Sequence, residues 1–416
     1  MKKIFCILMA ALLLLACFTA CGQKPGSQQT GTSTPPDDSS SSSSSVPAPS
    51  SSSEPEPPPP PPYEPAVLTG LEKGPDYPEG QRITAVMVNN ISNTAYHNAR
   101  PQNGLSSADV LIEIKVEGGI TRFCALFTDY KNLPEICPVR SARDQFFQLI
   151  LPMQAMYVHI GESIVQKQYK RDYSYGDLDI DLGELAATLP RDKSRGNVAT
   201  EHTAYTDGEH IQAAIDAMGT DTHRTYTSPI FNFVHYDEPA RVLTGDDALG
   251  IVVTHSQSYR TYFDWDAAQN KYMMSQYAIK DRAISPSVDR NTGEQLGFDN
   301  VIVLFTDFSV YPDPGGSGYD LQKVNYAGGS IGYYFSGGKS EYIRWKKNSP
   351  MEALYLLDGE GNETPIEINT GKTYLAVVDI DEVENFGYNP GGSAQDGQIE
   401  KIVDDPETEN FVEADD

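Results

Sequence analysis

The sequence predicts an α+β protein: an N-terminal α/β domain with a mixed sheet, followed by a mostly antiparallel β domain. Three observations carry this reading. Between residues 66 and 228, apolar runs of strand length alternate with helix-start signals. Within that stretch, two runs of strand character meet at Gly118-Gly119, the pattern of a β-hairpin. From about residue 230, short β-rich runs separated by Gly, Asn and Asp follow one another.

The chain opens with Lys2 and Lys3, an apolar run from Ile4 to Ala16, and cysteines at Cys17 and Cys21, the layout of a bacterial lipoprotein signal. The run is too short to cross about 30 Å of hydrocarbon as a helix. Residues 1–21 therefore read as a signal peptide, and Cys21, preceded by Ala20 and followed by Gly22, as the lipidated residue. Cys17, with Leu14 and Ala16 before it, is the alternative. Residues 22–65 are rich in Ser, Pro, Gly and Thr, a composition that cannot bury enough apolar surface to offset chain entropy. They read as a disordered tether with a root-mean-square span of roughly 35–40 Å.

The α/β domain, 66–228, begins with Arg82–Val88, apolar on both faces and so suited to a central strand. The hairpin 109–128 follows. Pairing Glu117 with Ile120 would place Val110, Ile112, Ile114, Val116, Phe123, Ala125 and Phe127 on a core face, with Glu113, Lys115, Glu117, Arg122 and Cys124 on the other. Ser141, with Asp144 three residues on, resembles a capping box before Phe146 and Phe147, and Pro152 ends the helix. Met156–Ile160 reads as a second buried strand, and Thr206–Glu209 starts a helix that stops near Gly219.

In the β domain, 229–384, the expected strand regions are 251–265, 271–279, 301–308, 331–335, 340–346, 353–357 and 373–378. Residues 385–416 read as a frayed acidic tail.

With 58 acidic against 31 basic residues and a formal net charge of −27, the chain is a poor partner for nucleic acid or anionic lipid surfaces. Membrane association is expected through the lipid anchor alone. Cys124 and Cys137 lack zinc-site spacing; two buried thiols and a disulfide both remain open. No HExxH, GxSxG, P-loop or dinucleotide fingerprint is present, and the glycine-rich stretch Pro314–Gly318 lacks the lysine of a phosphate loop. No cofactor and no metal site are expected.

The segments ARPQNGLSSADVLIEIKVEGGITRF (99–123), CPVRSAR (137–143) and YVHIGES (157–163) resemble the YerB family of Gram-positive lipoproteins. Segments 291–305, 332–347 and 369–378 resemble that family's second conserved region, so the likeness spans nearly the whole folded part. It implies a lipid-anchored protein on the outer face of a Gram-positive-type cell membrane, with two conserved regions of unknown function. Glu162 stands where the family pattern carries glycine. A looser likeness links ADVLIEIKV and CPVRSARD to the LytR-CpsA-Psr phosphotransferases.

Candidate chemistry concentrates on four arginines in an acidic chain, Arg100, Arg122, Arg140 and Arg143, beside predicted strand ends and a helix start. Arginine forks bind phosphate or carboxylate, and they equally pair with internal acids such as Glu113, Glu117 and Asp144. Ligands in α/β sheets gather beyond the carboxyl ends of strands, here near Asn90 and His159. His159, Asp109 and Asp144 are the candidate acid–base groups, and Asn90 a polar contact. Glu113 and Glu117 sit about 13 Å apart along one strand, too far for a glycosidase pair. Asp177, Asp179 and Asp181 alternate with apolar residues and read as a solvated strand face. The reading that follows is a non-enzymatic envelope protein that binds an anionic ligand or a protein partner through its arginine-bearing loops. An enzyme acting on envelope polymers or polyprenyl phosphates, and a structural assembly factor, are the alternatives.

Overall fold

The computed structural model describes residues 63–312, 318–395 and 400–401. The signal peptide with Cys17 and Cys21, most of the tether, the core of the glycine-rich stretch and the end of the acidic tail lie outside these residues. Among the described residues no helix is long and apolar enough to cross a membrane. The fold is α+β, as the sequence predicts.

Among the described residues, nineteen strands and four α-helices build it. The first five strands are β1 (Thr84–Asn89), β2 (Val110–Lys115), β3 (Thr121–Phe127), β4 (Met156–His159) and β5 (Leu178–Asp179). Between and after them lie α1 (Asp144–Ile150), α2 (Ile164–Asp172), α3 (Gly183–Thr188) and α4 (Gly208–Met218). Next come β6 (Gly250–Ser256), β7 (Tyr259–Asp266), β8 (Lys271–Ala278), β9 (Ala283–Pro286) and β10 (Gly297–Phe298). They are followed by β11 (Asn300–Thr306), β12 (Phe308–Val310), β13 (Gln322–Val324), β14 (Ser330–Ser336) and β15 (Lys339–Lys346). The last four are β16 (Tyr355–Asp358), β17 (Thr373–Asp379), β18 (Gly387–Asn389) and β19 (Glu400–Lys401).

Ten strands form one mixed sheet in the order β16-β15-β14-β11-β17-β2-β3-β1-β4-β5. β17 lies parallel to β2, with Thr373 opposite Val110 and Val377 opposite Ile114. The boundary expected near residue 228 is thus a boundary in sequence and not in space. Both segments enter the same sheet, and the described residues cluster as one compact unit. A seven-stranded, antiparallel sheet, β10-β8-β7-β6-β18-β19 with β9 on β8, supplies the second layer. The physical reason is burial: β17 is apolar on both faces, with all seven residues buried, and needs a neighbour on each edge as well.

β1 is buried over its whole length, as its two-sided apolar pattern predicts. Val86 and Val88 join a core shared with Ile211 and Ile215 of α4 and with Ile251 and Phe263 of the second sheet. Ala85 and Met87 join the core under Phe146, Phe147 and Ile150 of α1. Burying each such side chain contributes on the order of 1.5–3 kcal/mol, so the sheet is held from both sides.

The hairpin forms, but its register differs by one residue from the expected one. Val116 accepts position opposite Ile120, its N–H donating to the Ile120 carbonyl at 2.7 Å, and Glu117-Gly118-Gly119 make a three-residue loop. Both glycines have positive φ, 66° and 68°, which permits this loop. A one-residue slip exchanges faces on one strand. Arg122 and Cys124 therefore side with Ile112 and Ile114, against α1, while Glu113 sides with Phe123 and faces the second sheet.

Smaller departures have local causes. Ser141 does not cap α1; Arg143 occupies the N-cap position without a side-chain bond, and the Ser141 carbonyl is taken by Arg122 Nη1 at 2.7 Å. The expected run 251–265 breaks into β6 and β7, with a register shift between Thr254 and Ser256. The start of the tail is not frayed: Phe386 is buried, β18 pairs with β6, and Ala394 packs so closely on Gly250 that a Cβ there would lie 2.2 Å from the Ala394 nitrogen. At the other end Tyr63 already belongs to the folded body, donating its N–H to the Tyr226 carbonyl at 2.7 Å. Cys124 and Cys137 are buried free thiols.

Candidate functional site

β1, β2, β4, β5, β11 and β17 all run in one direction, so their carboxyl ends share one edge of the large sheet. Ligand sites of open α/β sheets lie beyond such an edge. Three of the four predicted arginines meet there on the helix-covered face. Arg122 enters from the start of β3, directly opposite Asn89 at the end of β1. Arg140 and Arg143 come from the segment that pairs with the loop after β4, where the Ala142 N–H donates to the Gly161 carbonyl at 2.9 Å and the Ile160 N–H to the Arg140 carbonyl at 3.2 Å.

Two of these arginines converge on Glu117. Arg143 Nε donates to its Oε1, and Arg122 Nη2 lies 3.7 Å from Oε2. Arg140 reaches a different acid, Glu201, at 3.4 Å, with 29 % of its own side chain exposed. Arg122 is buried, and its Nε has no partner. Burial, then the neighbouring charge of Arg143, holds the Arg122 guanidinium well below the usual arginine range; Glu117 opposes this and Arg140 adds to it. Burial works against the charge on Glu117 too, but Arg122 and Arg143 outweigh it and hold its carboxyl below the ordinary range. Three guanidinium groups thus have one partly buried carboxylate and one half-exposed one between them.

Arg100 stands apart from this group, contrary to the expected loop cluster. Its Nε donates to Asn90 Oδ1 at 2.8 Å and its Nη1 to the Tyr277 carbonyl at 2.8 Å, on the face covered by the second sheet. Asn90 is likewise a buried structural hub, since its Nδ2 donates to Glu113 Oε1 at 3.0 Å and to Thr121 Oγ1 at 2.8 Å. Asp109 lies at the opposite end of β2, about 20 Å away along the strand, where its Oδ2 accepts from the Thr128 N–H at 2.9 Å and hydroxyl at 2.7 Å.

His159 is at the carboxyl edge, but both ring nitrogens are occupied. Nδ1 lies 3.0 Å from the Gly161 carbonyl and Nε2 lies 2.7 Å from Asp177 Oδ2. Lys170 bridges Asp177 at 2.6 Å and Glu162 at 2.9 Å. Asp179 is buried and accepts from the Gly161 N–H at 3.0 Å. The solvated strand face expected for Asp177, Asp179 and Asp181 therefore holds only for Asp181: long-range packing of β5 beside β4 turns the other two onto His159 and its loop. Sequence reasoning also missed Lys170 and Glu201, whose roles depend on contacts with no local signal.

Asp144, at the first turn of α1, is the perturbed acid of this edge. It is buried, and its Oδ2 accepts from the Tyr311 hydroxyl at 2.9 Å. Burial pushes its carboxyl up to about 6, partly offset by the Tyr311 bond and Arg143. The folded protein therefore binds this proton more tightly than the unfolded chain does. Stability is full below about pH 4, falls as pH rises to about 6 and stays reduced above it, by about 3 kcal/mol. Asp144→Asn is expected to remove that loss. Urea unfolding of both proteins at pH 4 and pH 7.5 checks it: the variant should be the more stable at pH 7.5 and nearly equal at pH 4.

Three groups of His, Cys, Asp and Glu among the described residues have ligand atoms close enough for a metal ion. Lys170 sits between Glu162 and Asp177 of the group around His159. In Glu135, Cys137 and Asp192, burial pushes the Cys137 thiol up to about 12, and Asp192 pairs with Arg290 at 2.5 Å. In His97, Glu201 and His202, Asn89 Nδ2 donates to His202 Nδ1 at 3.0 Å, which leaves the ring proton on the nitrogen that faces the acid.

Residues 68–221 match the domain described as "Protein of unknown function (DUF3048) N-terminal domain", and residues 251–375 match the corresponding C-terminal domain. The chain is 30 % identical over 325 residues to "Putative lipoprotein YerB" of Bacillus subtilis (strain 168), covering 76 % of this chain and 87 % of that protein. The chain belongs to the YerB-like DUF3048 family. The crystal structure of Bacillus subtilis YerB aligns with a TM-score of 0.59 at 24 % identity, over 76 % of this chain and 96 % of that one, and shares the fold. The YerB-like segments 137–143 and 157–163 are the two that pair at the carboxyl edge, through the bridge between Ala142 and Glu162. Glu162 of that bridge is in use here, as a partner of Lys170.

Proposed function

We propose that this YerB-like protein is a non-enzymatic, lipid-anchored binder on the outer face of the cell membrane, tethered through Cys21, and that Arg122, Arg140 and Arg143 receive an anionic envelope ligand. The observation that supports this is the excess of clustered positive charge: Arg122 and Arg143 share Glu117, Arg140 beside them has only the exposed Glu201, and the Nε of the buried Arg122 is unpartnered. An isolated charge of this kind is costly unless an anion completes it. Glu117 then acts as an internal stand-in that the ligand displaces from Arg143 and Arg122.

The test is a thermal-shift titration of the full chain in detergent with pyrophosphate. A ligand at 100 times its dissociation constant adds about 2.7 kcal/mol of stability. Arg143→Ala is expected to abolish the shift. Glu117→Gln is expected to lower the melting temperature without ligand and to enlarge the shift, because the internal competitor is gone. Absence of a shift in both the parent protein and Glu117→Gln would remove the anion reading and leave a protein-interaction role for this surface. The pKa of Asp144 beside Arg143 favours a second reading, acid–base processing of a polyprenyl phosphate or envelope polymer. Turnover lost in Asp144→Asn with ligand binding retained would establish it.

A further inference from the structure

A cavity of about 240 Å³ opens at the opposite edge of the large sheet, beside the start of β1 and the end of β3, away from the arginine cluster. Two segments far apart in sequence close it. The stretch before β1 contributes Lys73 and Tyr77, and the stretch after α4 contributes Arg224 and Tyr226. They are stitched together where the Arg82 N–H donates to the Thr222 carbonyl and the Arg224 N–H donates to the Gly80 carbonyl, both at 2.8 Å.

Arg224 is the informative residue. Its guanidinium lies 5.6 Å from the centre of the Tyr226 ring, its Nε is buried without a partner, and it forms no ion pair among the described residues. That is unusual in a chain of net charge −27, where acids are abundant. Tyr77 offers a second open donor. Its oxygen accepts from the Val67 N–H at 3.2 Å, and its hydroxyl proton has no acceptor among the described residues. Burial pushes that phenol up to about 12, so the proton stays in place at neutral pH.

Lys73, by contrast, is already paired with Glu79 at 2.7 Å. With that pair neutralised, the charged groups lining the cavity sum to one excess positive charge, on Arg224. This matches a monoanion better than the nearly doubly charged phosphate of a phosphomonoester. The remaining wall has an apolar side, from Val67, Pro78, Ile83 and the Tyr226 ring, and a polar one that includes Gln81, Thr128, Thr225 and the neutral imidazole of His223.

We infer that this cavity is a binding site for a small monocarboxylate with a compact apolar body, its carboxylate received by Arg224 and the Tyr77 hydroxyl and its body by the apolar side of the wall. Planar carboxylates suit the two parallel donors of a guanidinium fork, and a mostly apolar recess with a few polar groups is the usual form of a small-molecule site. The site is separate from the carboxyl-edge arginines and does not depend on the function proposed for them.

The probe is benzoate, with benzamide as its neutral isostere and phenyl phosphate as the more highly charged analogue. Saturation-transfer NMR on the full chain in detergent is expected to show benzoate binding with a dissociation constant on the order of 1 mM, as suits so small a ligand. Benzamide and phenyl phosphate should bind at least about tenfold more weakly. Arg224→Gln is expected to weaken benzoate by about tenfold or more, and Tyr77→Phe by several-fold, while Arg140→Gln leaves it unchanged. Thermal melting of each variant confirms its fold, and Tyr77→Phe, which removes one oxygen atom, carries the test if Arg224→Gln fails to fold. Benzoate binding that is undetectable, that is matched by benzamide, or that survives intact in the folded variants overturns the site.

Discussion

Replacing Glu113 with alanine is expected to lower the unfolding free energy by about 4 kcal/mol, the largest single-residue effect outside the apolar core. The carboxylate is fully buried between the two layers. Oε1 accepts from Asn90, Thr121 and Gln276 at 3.0, 2.7 and 3.3 Å, and Oε2 accepts from Thr261 and Tyr374 at 2.8 and 2.7 Å. Alanine would orphan five donors drawn from β3, β7, β8, β17 and the loop after β1, and leave a cavity with no route to water. Glu113→Gln should cost less, about 2–3 kcal/mol, because one of its terminal atoms becomes a donor aimed at donors. Urea denaturation followed by circular dichroism measures both. A loss below about 1 kcal/mol for the alanine variant would mean that water fills the site and the network is not what holds the layers together.

The second large effect concerns the two conserved regions. A polypeptide of residues 229–395 expressed alone is expected to show no cooperative unfolding transition, although the second domain of the family, matched at 251–375, lies wholly inside it. β17 would lose β2 as a partner, exposing the strand edge that five residue pairs cover. Tyr374 would lose Glu113, and Lys115 would no longer hold Asp379 at 2.7 Å. An unpaired, two-sided apolar strand is also an aggregation hazard. Co-expression with residues 63–228 should restore a soluble, cooperatively melting complex. A sharp thermal transition in the isolated 229–395 fragment would show instead that each region carries a sufficient core of its own.

What was legible in the sequence follows from how far each signal reaches along the chain. β1, the hairpin, β4 and α4 are local: they are written in apolar periodicity, in Gly118-Gly119, and in Asp207 and Gly219 as caps, where Asp207 Oδ1 does accept from the His210 N–H at 2.9 Å and Gly219 adopts φ 64°. The hairpin register was not legible, because a two-residue and a three-residue glycine turn share the same sequence and differ by one position. That single position decided the site. It moved Arg122 onto the α1 face with Arg143 and Glu117, and turned Glu113 away from all of them.

The arginines show the same division. Their concentration in an acidic chain marked a region, and three of the four do meet at the carboxyl edge of the sheet. Arg100 does not, since the fold sends its side chain to Asn90 and Tyr277 in the other layer. Arg224 carried no signal at all, because a cavity made by residues about 140 positions apart leaves no pattern in either segment.

By itself, the sequence determined the α+β class, the family, most element positions and the region where charge is concentrated. All of these rest on periodicity, turn chemistry and composition, which act over a few residues. Tertiary structure alone decided that the two regions share one sheet, that Glu113 is a structural hub and Glu117 a counterion, that His159 is fully engaged, and where an unpaired arginine meets a cavity. Each of these depends on which distant side chain satisfies a buried charge or strand edge, and that partner is chosen only when the whole chain packs.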